Sequence, residues 1–216
     1  MATDKFWSNV AVQMASAAGM AAAQNITAIS KTNPAVATYE GTDPVNGDWV
    51  LLSVGGMVEV DRLLVRVANV NSAGNTFELQ GVDSTLFKTF ASGSFQKITL
   101  DRSFVTLSEP QAGGGEPIFE DTTTIHDSKD RQAIVSSSPE SYSFTSKWDP
   151  SDAALIEANR AFRNKAPRCF VVTFADGTKY AFVGTLSAPM QPAASGRKVT
   201  TPVAIAVENT GTFYAS

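Results

Sequence analysis

The sequence predicts a mainly β protein with one flanking α-helix and a small β-barrel-like module inserted near its start. Three observations carry that prediction. Over most of the 216 residues, β-branched and aromatic runs alternate with Gly, Pro, Asn and Asp turn signals. A single segment, WDPSDAALIEANRAFRNK (148–165), has helical spacing and caps. Between residues 25 and 97 the turn signals come every ~8–12 residues, the pattern of a small antiparallel barrel or sandwich.

In chain order, the first strand signal is NVAVQMA, where Val10, Val12 and Met14 alternate against Ala11, Gln13 and Ala15. A period of two sends the larger residues to one face and the small or polar ones to the other. The stretch AVQMASAAGMAAAQ (11–24) follows Asp4, Phe6 and Trp7 where a signal peptide would need a basic segment, and it holds no Leu, Ile or Phe. It reads as a small-residue strand leaving into a loop, or as a short Ala-rich helix. Asn33-Pro34, Asp43-Pro44, Asn46-Gly47-Asp48, Gly55-Gly56 and Ala73-Gly74-Asn75 then punctuate the strands WVLLSV, LLVRVANV and TFELQGV. A module of roughly 70 residues is large enough to fold alone. Residues 25–97 are therefore expected to interrupt a larger domain made of 1–24 and 98–216.

From Thr106 to Ser146 the chain is poor in core residues and carries Gly113-Gly114-Gly115 and several Ser and Pro, which predicts a long polar loop. Its HDSKDRQ stretch has mixed charge and suits a polar, register-specific contact. In the helix, Asp149 is the expected cap, Pro150 the first helical residue, and Asp152 an acid near the positive end. Leu155, Ala158 and Phe162 form the expected apolar stripe, Arg160, Arg163 and Lys165 complement the negative end, and Pro167 stops the helix. CFVVTF and TKYAFVG flank Asp176-Gly177 as a β-hairpin. The strand KVTTPVAIAVE alternates Val203, Ile205 and Val207 against Ala204, Ala206 and Glu208, with Pro202 marking an edge, a bulge or a strand start. A face of Ala, Gln and Glu is too small and polar for a core, so it meets water or a neighbouring subunit.

Composition excludes several function classes. The chain is 43% hydrophobic and 18% charged with net charge −4, a globular composition without the Lys and Arg clusters that grip nucleic acid. One Cys precludes an internal disulfide, and one His rules out the usual zinc ligand sets. No apolar run nears the ~18 residues that span a bilayer. A catalytic reading would have to use His126, beside Asp127, or Cys169. No nucleophile elbow, phosphate-cradling loop, dinucleotide fingerprint or zincin helix accompanies them, and Cys169 enters an apolar strand. No catalytic residue and no cofactor is expected.

The segment NGDWVLLSVGGMVEVDRLLVRVANVNSAGNTFELQGVDST resembles a small β-module recurrent in bacteriophage tail proteins. Gly47-Asp48, Gly56-Met57-x-Glu59, Val65-x-Val67, Asn75-Thr76-Phe77-x-Leu79 and Val82-Asp83 carry the likeness. That module is often compared with the first catalytic-cysteine half-domain of ubiquitin-activating enzymes, but this segment holds no Cys, so no chemistry follows. It departs from its relatives at YEGTDPV, where they carry His-Gly. The flanking parts, in the order strand, long polar loop, SKWDPSDAALIEANRAF helix, CFVVTFADGTKYAFVG hairpin and terminal strand, resemble the major tail tube protein of long, non-contractile-tailed phages.

The resemblance implies a tail-tube-type β-sandwich or sheet, with subunits in hexameric rings whose inner strands join into one barrel. The rings would stack into a tube that passes DNA without binding it, meet other tail proteins at the tube ends, and belong to the virion tail after assembly in the host cytoplasm. On that reading His126, Asp127, Lys129, Asp130 and Arg131 lie in a ring-stacking loop. Val10, Val12, Val172, Val203 and Ile205 belong to the intersubunit sheet, and Gln13 and Glu208 are candidates for the lumen. The alternative is a tail-tip, fibre or capsid decoration protein that binds a host surface through the β-module.

Overall fold

The computed structural model describes residues 7–195 and 198–215. The expectations that touch Asp4 and Phe6 lie outside the described residues. The chain opens with β1 (Ala11–Met14), and the Ala-rich stretch after it is a single 3-10 turn at Ala17–Gly19, closed by Ser16 Oγ accepting from the N–H groups of Ala18 and Gly19. Six strands follow: β2 (Gln24–Ile29), β3 (Ala35–Tyr39), β4 (Trp49–Gly55), β5 (Leu64–Asn71), β6 (Thr76–Leu79) and β7 (Ser92–Ile98). They close into an antiparallel barrel in the order β2-β3-β6-β5-β4-β7. Closure leaves the module without a free edge, the usual hazard of a small sheet. Tyr39, Phe77 and Phe95 fill the barrel, their ring centroids 5.3–5.8 Å apart. Gly56 is required at its turn: its φ is +87°, and a Cβ there would lie 2.5 Å from the Thr89 carbonyl oxygen.

After the barrel come β8 (Arg102–Phe104), β9 (Leu107–Gly113), β10 (Pro117–Asp121), β11 (Gln132–Ser137), β12 (Ser141–Lys147), the helix α1 (Ala153–Arg163), β13 (Arg168–Thr173), β14 (Lys179–Ser187), β15 (Ala193–Ser195), β16 (Lys198–Val207) and β17 (Thr212–Tyr214). The main sheet runs β8-β1-β13-β14-β16-β12-β9, with β15 paired to β16 and β17 to β14. Among the described residues, strands β10 and β11 pair only with each other, as a two-stranded ribbon. The region expected to be one long polar loop is thus two sheet strands and a hairpin. Its Ser, Gly and Pro content hid the strands because exposed strands need no apolar alternation.

The helix is where it was expected, but its cap is not. Asp152, rather than Asp149, accepts from the N–H groups of Ala154 and Leu155. Asp149 instead accepts from Ser151 N–H and Oγ, one turn earlier, so Pro150 precedes the helix. The buried stripe is Ala154, Leu155, Ala158 and Ala161, while Phe162 is 38% exposed. Small residues let the helix lie close on the sheet. Glu157, buried on the same side, accepts from Arg168 at 3.0 Å, Arg160 at 3.3 Å and the Ala17 N–H at 3.1 Å. This buried carboxylate ties the helix to the start of β13 and to the turn after β1.

The β13–β14 hairpin turns through Gly177 at φ +85°, with the Phe174 N–H donating to the Thr178 carbonyl. Pro202 lies inside β16. On one side β12 pairs it through Thr145, and on the other it falls between the β14 register (Ala204–Val207) and the β15 register (Lys198–Thr200). Its missing N–H therefore removes no ladder bond.

One face of the main sheet packs on α1, through Val12, Met14, Phe170, Phe182, Leu186, Val203 and Ile205. The opposite face of β13 and β14 is also buried, because the barrel sits on it. Leu51, Leu64 and Ile98 point out of the barrel and pack with Cys169, Val171, Ala181, Val183 and Tyr214. Both chain crossings between the parts are clamped: Thr99 N–H donates to the Gly19 carbonyl, and Ser16 gives two 2.7 Å hydrogen bonds to the Asp101 carboxylate.

Candidate assembly interface

The residues singled out from sequence fall into three places. Val12, Val172, Val203 and Ile205 are buried in the core under α1, and Val10 packs against that core. Their strands are interior: β1 lies between β8 and β13, β13 between β1 and β14, and β16 between β14 and β12. These residues were expected in the intersubunit sheet; within the subunit, the ladder partners of β1, β13 and β16 belong to the chain itself. The ends of the sheet path are β8 and β9. Strand β9 is seven residues long, bulges against β12, and holds Glu109 at φ +54° beside Pro110.

Both lumen candidates lie on the side of the sheet that the barrel covers in part. Gln13 stands in register with Val171, on the barrel-covered side of the sheet, and is half-buried. Glu208 is the anchor of the barrel: its Oε2 accepts from Arg62 Nε at 3.0 Å and Nη2 at 2.8 Å, and its Oε1 accepts from Thr185. Beside it, Asn209 donates to the Asp61 carbonyl, Thr212 Oγ1 to the Leu64 carbonyl, and Arg66 N–H to the Tyr214 hydroxyl oxygen. A terminal carboxylate on an alternating strand gave no sign of its arginine, 146 residues away in sequence.

The Ala204–Ala206 alternation itself is exposed. In register with Ala204 and Ala206 stand Ser143 and Ser141 on one side and Ser187 and Thr185 on the other. Together they form a face of small neutral side chains, with charge only towards its ends at Lys147, Lys198 and Glu208.

His126, Asp127, Lys129, Asp130 and Arg131 gather at the tip of the β10–β11 ribbon. Asp127 closes that tip, accepting from Thr124 N–H and Oγ1 at 2.9 Å and pairing with Arg131 at 3.2 Å. Every residue of β10 and β11 is exposed, including Ile118, Phe119, Ile134 and Val135, and Ile125 at the tip is 96% exposed. Two-stranded hairpins alone are marginal in water. A ribbon with this much bare apolar surface is built to be covered.

Cys169 is fully buried, and burial pushes its thiol up to about 12, which leaves it without nucleophilic thiolate. His126 is exposed at the ribbon tip. Among the described residues no group of His, Cys, Asp or Glu is placed to hold a metal ion, and no helix is long and apolar enough to cross a membrane.

What sequence reading missed is the barrel-to-sheet contact, and the signal was present. CFVV, YAFV and VLL are continuous apolar runs, the mark of strands covered on both faces.

A sheet with one neutral bare face and an uncovered ribbon is an assembling architecture, and the family comparison agrees with it. The model of the phage tail tube protein (TTP) family matches residues 56–216. The chain belongs to the phage tail tube protein family. No curated protein matches it. Tail tube membership makes the chain a structural component of the phage tail, one that self-assembles and meets other tail proteins. The matched span starts within the barrel, just after β4, so the tail tube model takes in β5–β7 as well as the whole main sheet beyond the barrel.

Proposed function

We propose that this tail tube protein assembles into hexameric rings, that the rings stack into a hollow tube, and that DNA leaves the virion through that tube. The observation that carries the reading is the neutral face of β12, β14 and β16, with Ser141, Ser143, Thr185, Ser187, Ala204 and Ala206 side by side. A channel wall for DNA needs such a surface. Each lysine–phosphate contact releases counterions and tightens binding, so a basic wall would retain what it must pass.

In this reading the free edges at β8 and β9 join the sheets of adjacent subunits, and the exposed ribbon reaches a neighbouring ring. The barrel covers the β13–β14 end of the same sheet side, past the channel-lining strands, and projects away from the channel. Residues 25–97 are then an inserted decoration fixed to the tube domain rather than tethered to it. Polar contacts from Asp127, Lys129, Asp130 and Arg131 across rings are individually worth about 0–1 kcal/mol where exposed. The apolar ribbon residues give the larger share.

Negative-stain microscopy of the purified protein tests the reading. Rings and tubes are the expected result; particles that stay monomeric or trimeric at high concentration contradict it.

A further inference from the structure

At the base of the ribbon lies a pocket of about 260 Å³ with aromatic walls and one carboxylate. Tyr180 and Phe213 stack at 4.5 Å, and Tyr142 meets Tyr180 edge-on at 5.8 Å. Phe213 is 73% exposed, far more than a ring of its size needs to be. The Tyr180 hydroxyl donates to Glu140 Oε2 at 3.2 Å. Two glycines shape the walls. A Cβ on Gly211 would lie 2.2 Å from the Tyr180 ring, and one on Gly114, at φ +84°, would lie 1.9 Å from the Pro139 carbonyl oxygen. No Lys, Arg or His lines the pocket, and Glu140 has no ion-pair partner among the described residues.

Ring faces carry negative charge density, so aromatic walls around a carboxylate select a cation. The chain offers one at the far end of the same ribbon. Lys129 is exposed and unpaired among the described residues, whereas its neighbour Arg131 is already held by Asp127. The ribbon starts at the pocket rim, and its strands are five and six residues long. At ~3.3 Å per residue the tip stands roughly 20 Å from the base, out of reach of its own pocket.

We propose that the pocket of Glu140, Tyr142, Tyr180 and Phe213 seats the Lys129 ammonium of a second copy of the chain, with Ile125 of that copy packing on Phe213. The inference rests on the stacking reading above and names the receptor for the ribbon within it. Tip and pocket are different surfaces, so the contact is heterologous and repeats from copy to copy, as a stack requires.

Charge exchange tests the pairing. Glu140→Lys and Lys129→Glu should each reduce tube formation by about tenfold or more at fixed concentration, because each sets like charges together, and the double variant should recover most of it. Single variants that form tubes like the wild type, or a double variant no better than the singles, overturn the pairing and leave tube formation by the wild type intact. Wild-type protein that forms no tubes overturns the stacking reading, and this proposal with it. A disulfide test does not depend on tolerating Glu140→Lys. Lys129→Cys subunits mixed with Thr210→Cys subunits should give intermolecular disulfides within tubes, since Cys169 is buried. Thr210 lines the same pocket. No cross-link in assembled tubes contradicts the proposal.

Discussion

The two halves of one sheet face have opposite fates. On β13 and β14, Cys169, Val171, Ala181 and Val183 are buried under the barrel. A few ångströms along the same side, on β12 and β16, Ser141, Ser143, Ala204 and Ala206 are bare. The other side of the sheet is largely apolar and lies on the core beneath α1. The difference is written in single residues: both alternate sets are apolar where a second layer covers the strand, and one set turns to Ser, Thr and Ala where nothing does. The barrel is therefore a structural layer of this subunit. Exposed apolar patches of this kind are interaction surfaces or liabilities, and here an internal domain removes the liability.

Replacing residues 25–97 by a Gly-Ser linker is expected to have the largest effect. It uncovers Val171, Ala181, Val183 and Tyr214, whose burial contributes on the order of several kcal/mol in total. The truncated chain should lose much of its thermal stability and should aggregate. Its Cys169 should react with a thiol reagent that leaves the intact protein untouched. A truncated chain that melts like the whole protein with Cys169 still protected would mean that the barrel is a detachable appendage.

A matched pair of substitutions sharpens the same contrast. Val183→Asp places an unpaired carboxylate beneath the barrel and should cost at least about 3 kcal/mol. Ala206→Asp, on the bare half, should stay within about 0.5 kcal/mol. Denaturant melts of the two variants measure both; equal losses would erase the distinction between the halves.

Much of this was legible in the sequence. Strands β4, β5 and β6 of the barrel, the helix, the Gly177 hairpin and the Val203–Val207 alternation are all local patterns, and local patterns fix faces and turns. Contacts between distant segments were not legible. Arg62 and Glu208 look like two ordinary surface charges, and Val12 and Val172 look equally suited to an edge or an interior strand, because pairing partners are set by topology. The ribbon was hidden for a different reason: Pro117–Asp121 and Gln132–Ser137 bury nothing within the chain, so their strand character has no core pattern to reveal it. The Asp149 expectation failed because Asp152 competes for the same role and lies directly before the Ala153 that starts the helix.

The clamp between the two parts gives a smaller, pH-dependent effect. Burial opposes ionisation of Asp101, but the two hydrogen bonds from Ser16, with the Arg102 charge beside it, hold its carboxyl below the ordinary value of 3.8. A folded pKa below the unfolded one stabilises the protein above the unfolded pKa and ceases to do so as pH falls through the folded value. Acidifying from pH 5 through that lowered value should therefore loosen the crossing between β1 and the barrel. Asp101→Asn should be less stable than wild type at pH 5, and the gap should narrow in acid; a gap that stays constant with pH would remove the carboxylate from the account.

The claim that the bare half of the sheet faces an enclosed channel is tested most directly by thiol accessibility. In a Cys169→Ala background, Ala206→Cys reports the β16 face and Val58→Cys reports the barrel surface, where Val58 is 54% exposed. In free subunits both should react with a small maleimide and with a maleimide carried on a large polymer. In assembled tubes, Val58→Cys should still take both, while Ala206→Cys should take the small reagent from solution in the channel and refuse the large one. Reaction of Ala206→Cys with the large reagent at the same rate in tubes and in subunits would place that face outside the channel and contradict the account.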